Sequence, residues 1–285
     1  MSHLFVDSVI SAEDYNRLVI DHEATERAAL LDLKRNHLPA LSQTLISHGV
    51  ADFVELHLLH RHFRLQEGEA MVHKTLTIPK ASDVAAVTID IAKAMDCAEP
   101  VKSSLVPLLW MACPSGEGLV AYEYGLGGSV DSHKREFQSI SAEAWSTFAR
   151  AFTAHVHAAG IADLVSLKDK DCINGGEYVV PDMRVLFRVP TSAIDLQPGS
   201  GVLESGWDLN AKTESNAGFP ECTDGHVTKT RRTKGGSVAH YHSTTKNGID
   251  AFNPKEVPLP YTNAMWATSQ SENFWAVNSG VDVTA

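Results

Sequence analysis

The hydrophobic period of this chain switches near residue 50 from helical spacing to alternation, and that change restricts the fold more than any other property. Ser11-Ala-Glu-Asp14 has the form of an N-cap with an acid three residues on. It opens an amphipathic run through Leu18, Val19, Ala24, Leu30, Leu31 and Leu33, which predicts one helix. A second, shorter helix is expected from about Leu38, with Pro39 in its first turn, to His48, where Gly49 supplies the stop. From Phe53 to Leu65 apolar and polar residues alternate instead. Gln66-Glu67-Gly68-Glu69 is a polar turn, and alternation resumes from Met71 to Ile78. A period of two on both sides of a turn predicts a β-hairpin.

Further along, Ser82 and Asp83 are placed to cap a helix over Val84 to Met95. The alternation of Val87-Thr-Ile-Asp-Ile also reads as strand, and the helix is the preferred expectation. Leu105 to Cys113 and Leu119 to Tyr124 flank a turn containing Pro114, Gly116 and Gly118, which predicts a second hairpin. Ser141 caps the clearest helix, running through Trp145, Phe148, Ala149, Phe152 and Val156 to Gly160. Strands are expected at Ala162 to Leu167 and Met183 to Val189, separated by a polar loop from Lys168 to Glu177. Helices and strands mix without regular βα alternation. The expected fold class is therefore α+β, with a mostly antiparallel sheet and packed helices.

After Pro190 the sequence becomes rich in Gly, Ser, Thr, Asn and Pro, with short strands expected at Val227 to Thr230, Val238 to Ser243 and Phe274 to Val277. A boundary near residue 195 would divide an α+β core domain, 1–195, from a loop-rich C-terminal segment, 196–285, packed on it. The net charge of −11 opposes attraction to phosphate backbones and anionic membrane surfaces, so neither nucleic acid nor membrane is an expected partner. No apolar run approaches the roughly 18 residues of a membrane span, and the opening residues lack a basic and apolar leader. Four scattered cysteines without a CxxC pair fit a reducing compartment, and a soluble, cytoplasmic monomer or homodimer is expected.

The chemical signal is carried by 14 histidines. His60 and His62 are two apart, hence about 6–7 Å apart on one strand face. Closing the hairpin with an even loop sets His62 opposite His73, with His60, His62 and His73 on one face and Leu59, Phe63 and Leu65 on the other. This register also sets Arg61 against Lys74, a like-charge pair that counts against it. Three imidazoles so grouped suit one divalent ion, Zn²⁺, Fe²⁺, Ni²⁺ or Mn²⁺, with a position open to water or substrate. They equally suit a metal-free site in which histidine is the general base, or a solvated strand face. Glu67 and Glu69 are the acids expected to complete the site, and His57 is expected to be a core or sheet-edge residue. The tail repeats the spacing at His240 and His242, which either lend ligands to the first site or form one of their own with Cys222 and His226. Between them, Arg231 and Arg232 belong to a basic cluster suited to an anionic substrate or cofactor group.

His60-Arg-His62 followed by Glu67 resembles the core of the first cupin motif, which implies a cupin-like β-barrel as the alternative fold. The motif's flanking glycines are missing here, and no second motif follows. Leu58 to His62 leading to Glu67-Gly-Glu69, with the Cys/His-containing tail, is also similar to uncharacterised cytosolic proteins of filamentous fungi, best over the first 80 residues. No activity is implied by that similarity.

These observations lead to an expectation of a small-molecule enzyme, metal-dependent (oxygenase, hydrolase or lyase) or using histidine as general base, and acting on a polar or anionic substrate. His60, His62, His73, Glu67 and Glu69 would be catalytic, and His60, His62, His73, His240 and His242 the ligands of any metal. The rival is a non-catalytic module that binds a metal or a small ligand.

Overall fold

The computed structural model describes residues 9–78, 87–97, 101–126, 140–170, 175–180, 184–190, 203–214, 220–232 and 238–245. Four helices come first: α1 (Ala12–Arg17), α2 (Asp21–Leu30), α3 (Leu33–Asn36) and α4 (Leu38–Ser47). Strands β1 (Val54–Leu58), β2 (Glu69–Ile78), β3 (Val87–Asp96), β4 (Leu105–Ala112) and β5 (Leu119–Leu126) precede the long helix α5 (Ala142–Ala158). Then follow β6 (Val165–Asp169), β7 (Gly175–Val180), β8 (Val185–Pro190), β9 (Leu203–Glu214), β10 (Pro220–Arg232) and β11 (Val238–Thr245). All eleven strands belong to one sheet in the order β11-β10-β9-β1-β6-β4-β5-β2-β3-β8-β7. Its ladders are antiparallel except that of β2 with β5. The outer strands β11 and β7 come within 8 Å of one another, so the sheet curls into a half-barrel. The fold is α+β, as the mixed periodicity predicts.

Three sequence expectations map directly onto elements: α4 spans Leu38–Ser47 with Pro39 in its first turn and Gly49 beyond it at φ +68°, and α5 and the β4–β5 hairpin form as predicted. Ser141 caps α5 by accepting a hydrogen bond from the Ala144 amide at 3.1 Å, and Gly160 ends it at φ +68°. The apolar stripe of α5 buries Phe148, Phe152 and Val156. Trp145 meets Trp110 of β4 edge-on at 5.5 Å, which fixes the helix on the sheet through geometry as well as area. Truncating the cap hydroxyl in Ser141→Ala is expected to cost about 1 kcal/mol, read as a lowered urea midpoint with unchanged slope. The β4–β5 hairpin also forms where its turn glycines place it, with a register irregularity at Leu109.

Elsewhere the long-range partners differ from the local reading. The first predicted helix is broken twice. At the first break the carbonyls of Leu18 and Val19 accept hydrogen bonds from Arg61, from Nε at 2.8 Å and from its amide at 2.9 Å. At the second, Asp32 takes a left-handed φ of +44°. The predicted hairpin between 53–65 and 71–78 does not form. β1 pairs with β6 and β9, and β2 pairs with β3 over all ten residues of each strand. β3 occupies most of the segment for which a helix was expected, because its alternation and β-branched residues Val87, Thr88 and Ile89 favour a pleated surface. The polar loop predicted from Lys168 to Glu177 holds the end of β6 and the start of β7. In the tail, β10 and β11 cover two of the three expected strands, and Phe274 to Val277 lie outside the described residues. β9 joins the tail to the sheet beside β1, opposing Trp207 to Leu56 and Gly206 to His57.

Candidate functional site

The link from Leu59 to Leu65 is not a strand, and nearly every part of it is tied to a neighbour. The Leu59 amide donates to the Leu164 carbonyl at 2.8 Å, and Arg61 holds the broken end of α1. The Asn16 side chain clamps Leu65, donating to its carbonyl at 2.8 Å and accepting from its amide at 2.9 Å. With Arg61 turned toward α1, the flanking His60 and His62 are buried, 1% and 6% exposed. Arg61 is thus engaged with α1 carbonyls and not opposed to Lys74, so the like-charge conflict of the hairpin register does not arise.

His62 and His73 meet on one carboxylate. Glu123 of β5, fully buried, places Oε2 2.8 Å from His73 Nε2 and Oε1 3.3 Å from His62 Nε2. The other nitrogen of His73, Nδ1, lies 2.7 Å from Oδ2 of Asp90 on β3. The sheet builds this row. β2 and β5 run parallel with His73 level with Gly125 and Met71 level with Glu123, while β3 brings Asp90 from the other side. Burial alone would push the Glu123 carboxyl up, but the His62 and His73 imidazoles overcome it and hold the group well below the usual carboxylate range. An ionised carboxylate only accepts, so the ring nitrogens facing it donate. His73 lies between two carboxylates, with Nδ1 turned to Asp90 and Nε2 to Glu123.

The row continues through ring contacts. His60 meets His62 edge-on at 4.9 Å, and His57 of β1 stacks on His60 at 5.5 Å. Nδ1 of His60 is 2.8 Å from the Leu58 carbonyl, which can only accept, so this nitrogen carries the proton and Nε2 the lone pair of the neutral ring. His62 turns Nε2 toward Oε1 of Glu123 at 3.3 Å, which sets Nδ1 on the other side of the ring. Beyond His57, the Glu55 and Lys168 side chains form a buried ion pair at 3.3 Å. The Ser166 hydroxyl donates to the His57 carbonyl at 3.1 Å and accepts from Tyr122 at 3.1 Å. A cavity of about 210 Å³ between the end of α1 and the end of α5 contains none of these residues.

The acids expected from the sequence are not in this row. Glu67 is exposed, and Glu69 is bound to Arg184 and to the Gln66 amide at the turn entering β2. Their places are taken by Glu123 and Asp90. Each stands between apolar or aromatic neighbours, Ala-Tyr-Glu-Tyr and Thr-Ile-Asp-Ile, and that is the available signal, because a carboxylate is rarely buried without a partner. His240 and His242 lie on β11 in register with Thr230 and Thr228, and Arg231 and Arg232 on β10 in register with Ala239 and Val238. Two strands separate β11 from β1.

Among the described residues no three His, Cys, Asp or Glu side chains are grouped so as to hold an ion. No helix among the described residues is long and apolar enough to cross a membrane. No protein-family model, no curated protein and no solved structure matches this chain.

Proposed function

We propose that this chain is a small-molecule enzyme of the acid–base type, with His62 and His60 as the proton-transferring groups. The reading is carried by the continuous buried row Asp90, His73, Glu123, His62, with polar contacts of 2.7, 2.8 and 3.3 Å. Glu123 fixes the tautomer and orientation of His62 and stabilises the imidazolium formed when Nδ1 takes a proton, the role that a buried carboxylate plays behind a catalytic histidine. The ring of His73, anchored by Asp90, fixes Glu123 in turn. His60 presents Nε2 from a ring held by Leu58, giving a second base beside the first.

A purely structural role accounts less well for this row. Exchanging a buried ion network for well-packed apolar residues is often neutral or stabilising, by about 1–4 kcal/mol. Groups this costly to bury, converging from β2, β3, β5 and an anchored link, are more typical of a site that handles protons. A non-catalytic ligand-binding module has no need of a graded series of donors and acceptors. The experiment is proton exchange in D2O: the full chain is incubated with a panel of small oxo acids, hydroxy acids and aldehydes, and loss of carbon-bound protons is followed by NMR. Protein-dependent exchange that disappears in His62→Ala is the expected result. Exchange of none of the compounds, or exchange indifferent to both His60 and His62, would overturn the reading.

A further inference from the structure

Half of the buried polar band lies beyond the proton-handling row. Glu55 on β1 and Lys168 on β6 stand directly opposite in register, their side chains 1% and 3% exposed, with Oε1 3.3 Å from Nζ. Of the four residues flanking them along their strands, Val54, Leu56 and Leu167 are buried and apolar, and Asp169 is a buried acid. The next pair along the ladder is His57 with Ser166, and it is His57 that stacks on His60. Two apolar residues would hold the same rungs of this ladder without desolvating two charges. A lysine in the interior offers something they do not, a primary amine with a proton acceptor fixed against it, which is the equipment of a nucleophile toward a carbonyl carbon.

We propose that Lys168 captures a small aldehyde, ketone or oxo acid as an imine, which makes carbonyl compounds the substrate class of this site. Glu55 takes one proton from the ammonium, and the Nζ lone pair adds to the carbonyl carbon. A proton passes from nitrogen to the former carbonyl oxygen to give the carbinolamine. Glu55 then returns its proton to that hydroxyl, the C–O bond breaks, water leaves and the nitrogen lone pair closes the C=N bond of a protonated imine. The step consumes no oxidant or reductant and releases one water. The positive imine acidifies the adjacent C–H, and the histidine series, joined by ring contacts of 5.5 and 4.9 Å, leads from the lysine side of the band to the basic nitrogens of His60 and His62. This last step rests on the acid–base function proposed above, whereas the capture itself does not.

The test is reductive trapping on the full-length chain. Pyruvate and propanal, each with sodium borohydride, and pentane-2,4-dione without reductant are followed by peptide mass spectrometry. The expected result is an adduct concentrated on Lys168 in preference to an exposed lysine such as Lys34, abolished at that position in Lys168→Arg and slowed in Glu55→Gln. The wild-type peptide map decides the matter even where a variant fails to fold. Adducts confined to exposed lysines, or no adduct with any of the three probes, would overturn the proposal. Proton exchange that depends on His62 while Lys168 stays unmodified would reject the capture and leave the acid–base reading standing. Trapping on Lys168 without histidine-dependent exchange would do the reverse.

Discussion

Glu123→Ala is expected to remove about 3–5 kcal/mol of folding stability, the cost of breaking a buried charge network by deleting one member. Both carboxylate oxygens are engaged, with His62 at 3.3 Å and His73 at 2.8 Å, and the group is fully buried. Alanine leaves the His73 ring with Asp90 alone and puts a void between β5 and β2. Glu123→Gln keeps the shape and one acceptor but no charge, so its loss should be smaller, and the difference between the two variants isolates the void. The pH dependence has a defined sign. A carboxyl held below its ordinary value of 4.5 contributes stability fully present above that value, and loses it as pH falls through the depressed folded-state value. The gap in urea stability between wild type and Glu123→Gln should therefore be full at pH 7 and shrink progressively below about pH 4.5. A gap that stays constant down to pH 3 would show that Glu123 is not the ionised centre of the row.

The elements legible in the sequence are those settled by neighbours in the chain. α5 carries its own cap, stripe and stop, and β4–β5 its own turn. Period-two alternation in 53–65 and 71–78 shows that two faces exist, but it cannot say which strand lies alongside. The partners of β2 come from Val87–Asp96 and Leu119–Leu126, and those of β1 from Val165–Asp169 and the tail. Both choices depend on how the whole sheet buries its apolar faces, which a hairpin argument does not consider. Segment 59–65 alternates well enough to be a strand, yet its hydrogen bonds go to the Leu164 carbonyl, to Leu18 and Val19 just past α1, and to the Asn16 side chain. No local pattern encodes those partners.

The site was legible in its histidines and illegible in its acids for the same reason. Histidines two apart attract notice by spacing, and His62 and His73 do reach one carboxylate, by a path through β5 and not through a hairpin. Glu123 and Asp90 each stand between apolar or aromatic neighbours, whereas Glu67 and Glu69 are close in sequence to the histidines. Proximity along the chain favoured the turn acids, and three-dimensional pairing favoured the strand acids. Glu69 is accordingly engaged elsewhere, holding Arg184 and the turn into β2.

His62→Ala is expected to lower turnover, assayed as protein-dependent exchange of carbon-bound protons, by about 10²–10⁴-fold, the usual contribution of a positioned acid–base group. Folding should suffer less than in Glu123→Ala. The alanine leaves Glu123 ionised and still bound to His73, so the loss resembles one missing buried hydrogen bond, about 1–3 kcal/mol. This separation of effects distinguishes a catalytic group from a structural one. Were the row only a brace for the half-barrel, activity in each variant would track its folded fraction, and His62→Ala would be the milder lesion by both measures. With His62 as the base, it is the milder lesion for stability and the more severe for turnover per folded molecule. For turnover Glu123→Gln should be milder than Glu123→Ala, because the amide still orients the ring, and worse than wild type, because it does not stabilise the ring's positive charge. Urea titration and exchange rates measured on the same preparations rank the three variants, and a common order in both rankings would remove His62 from the chemistry.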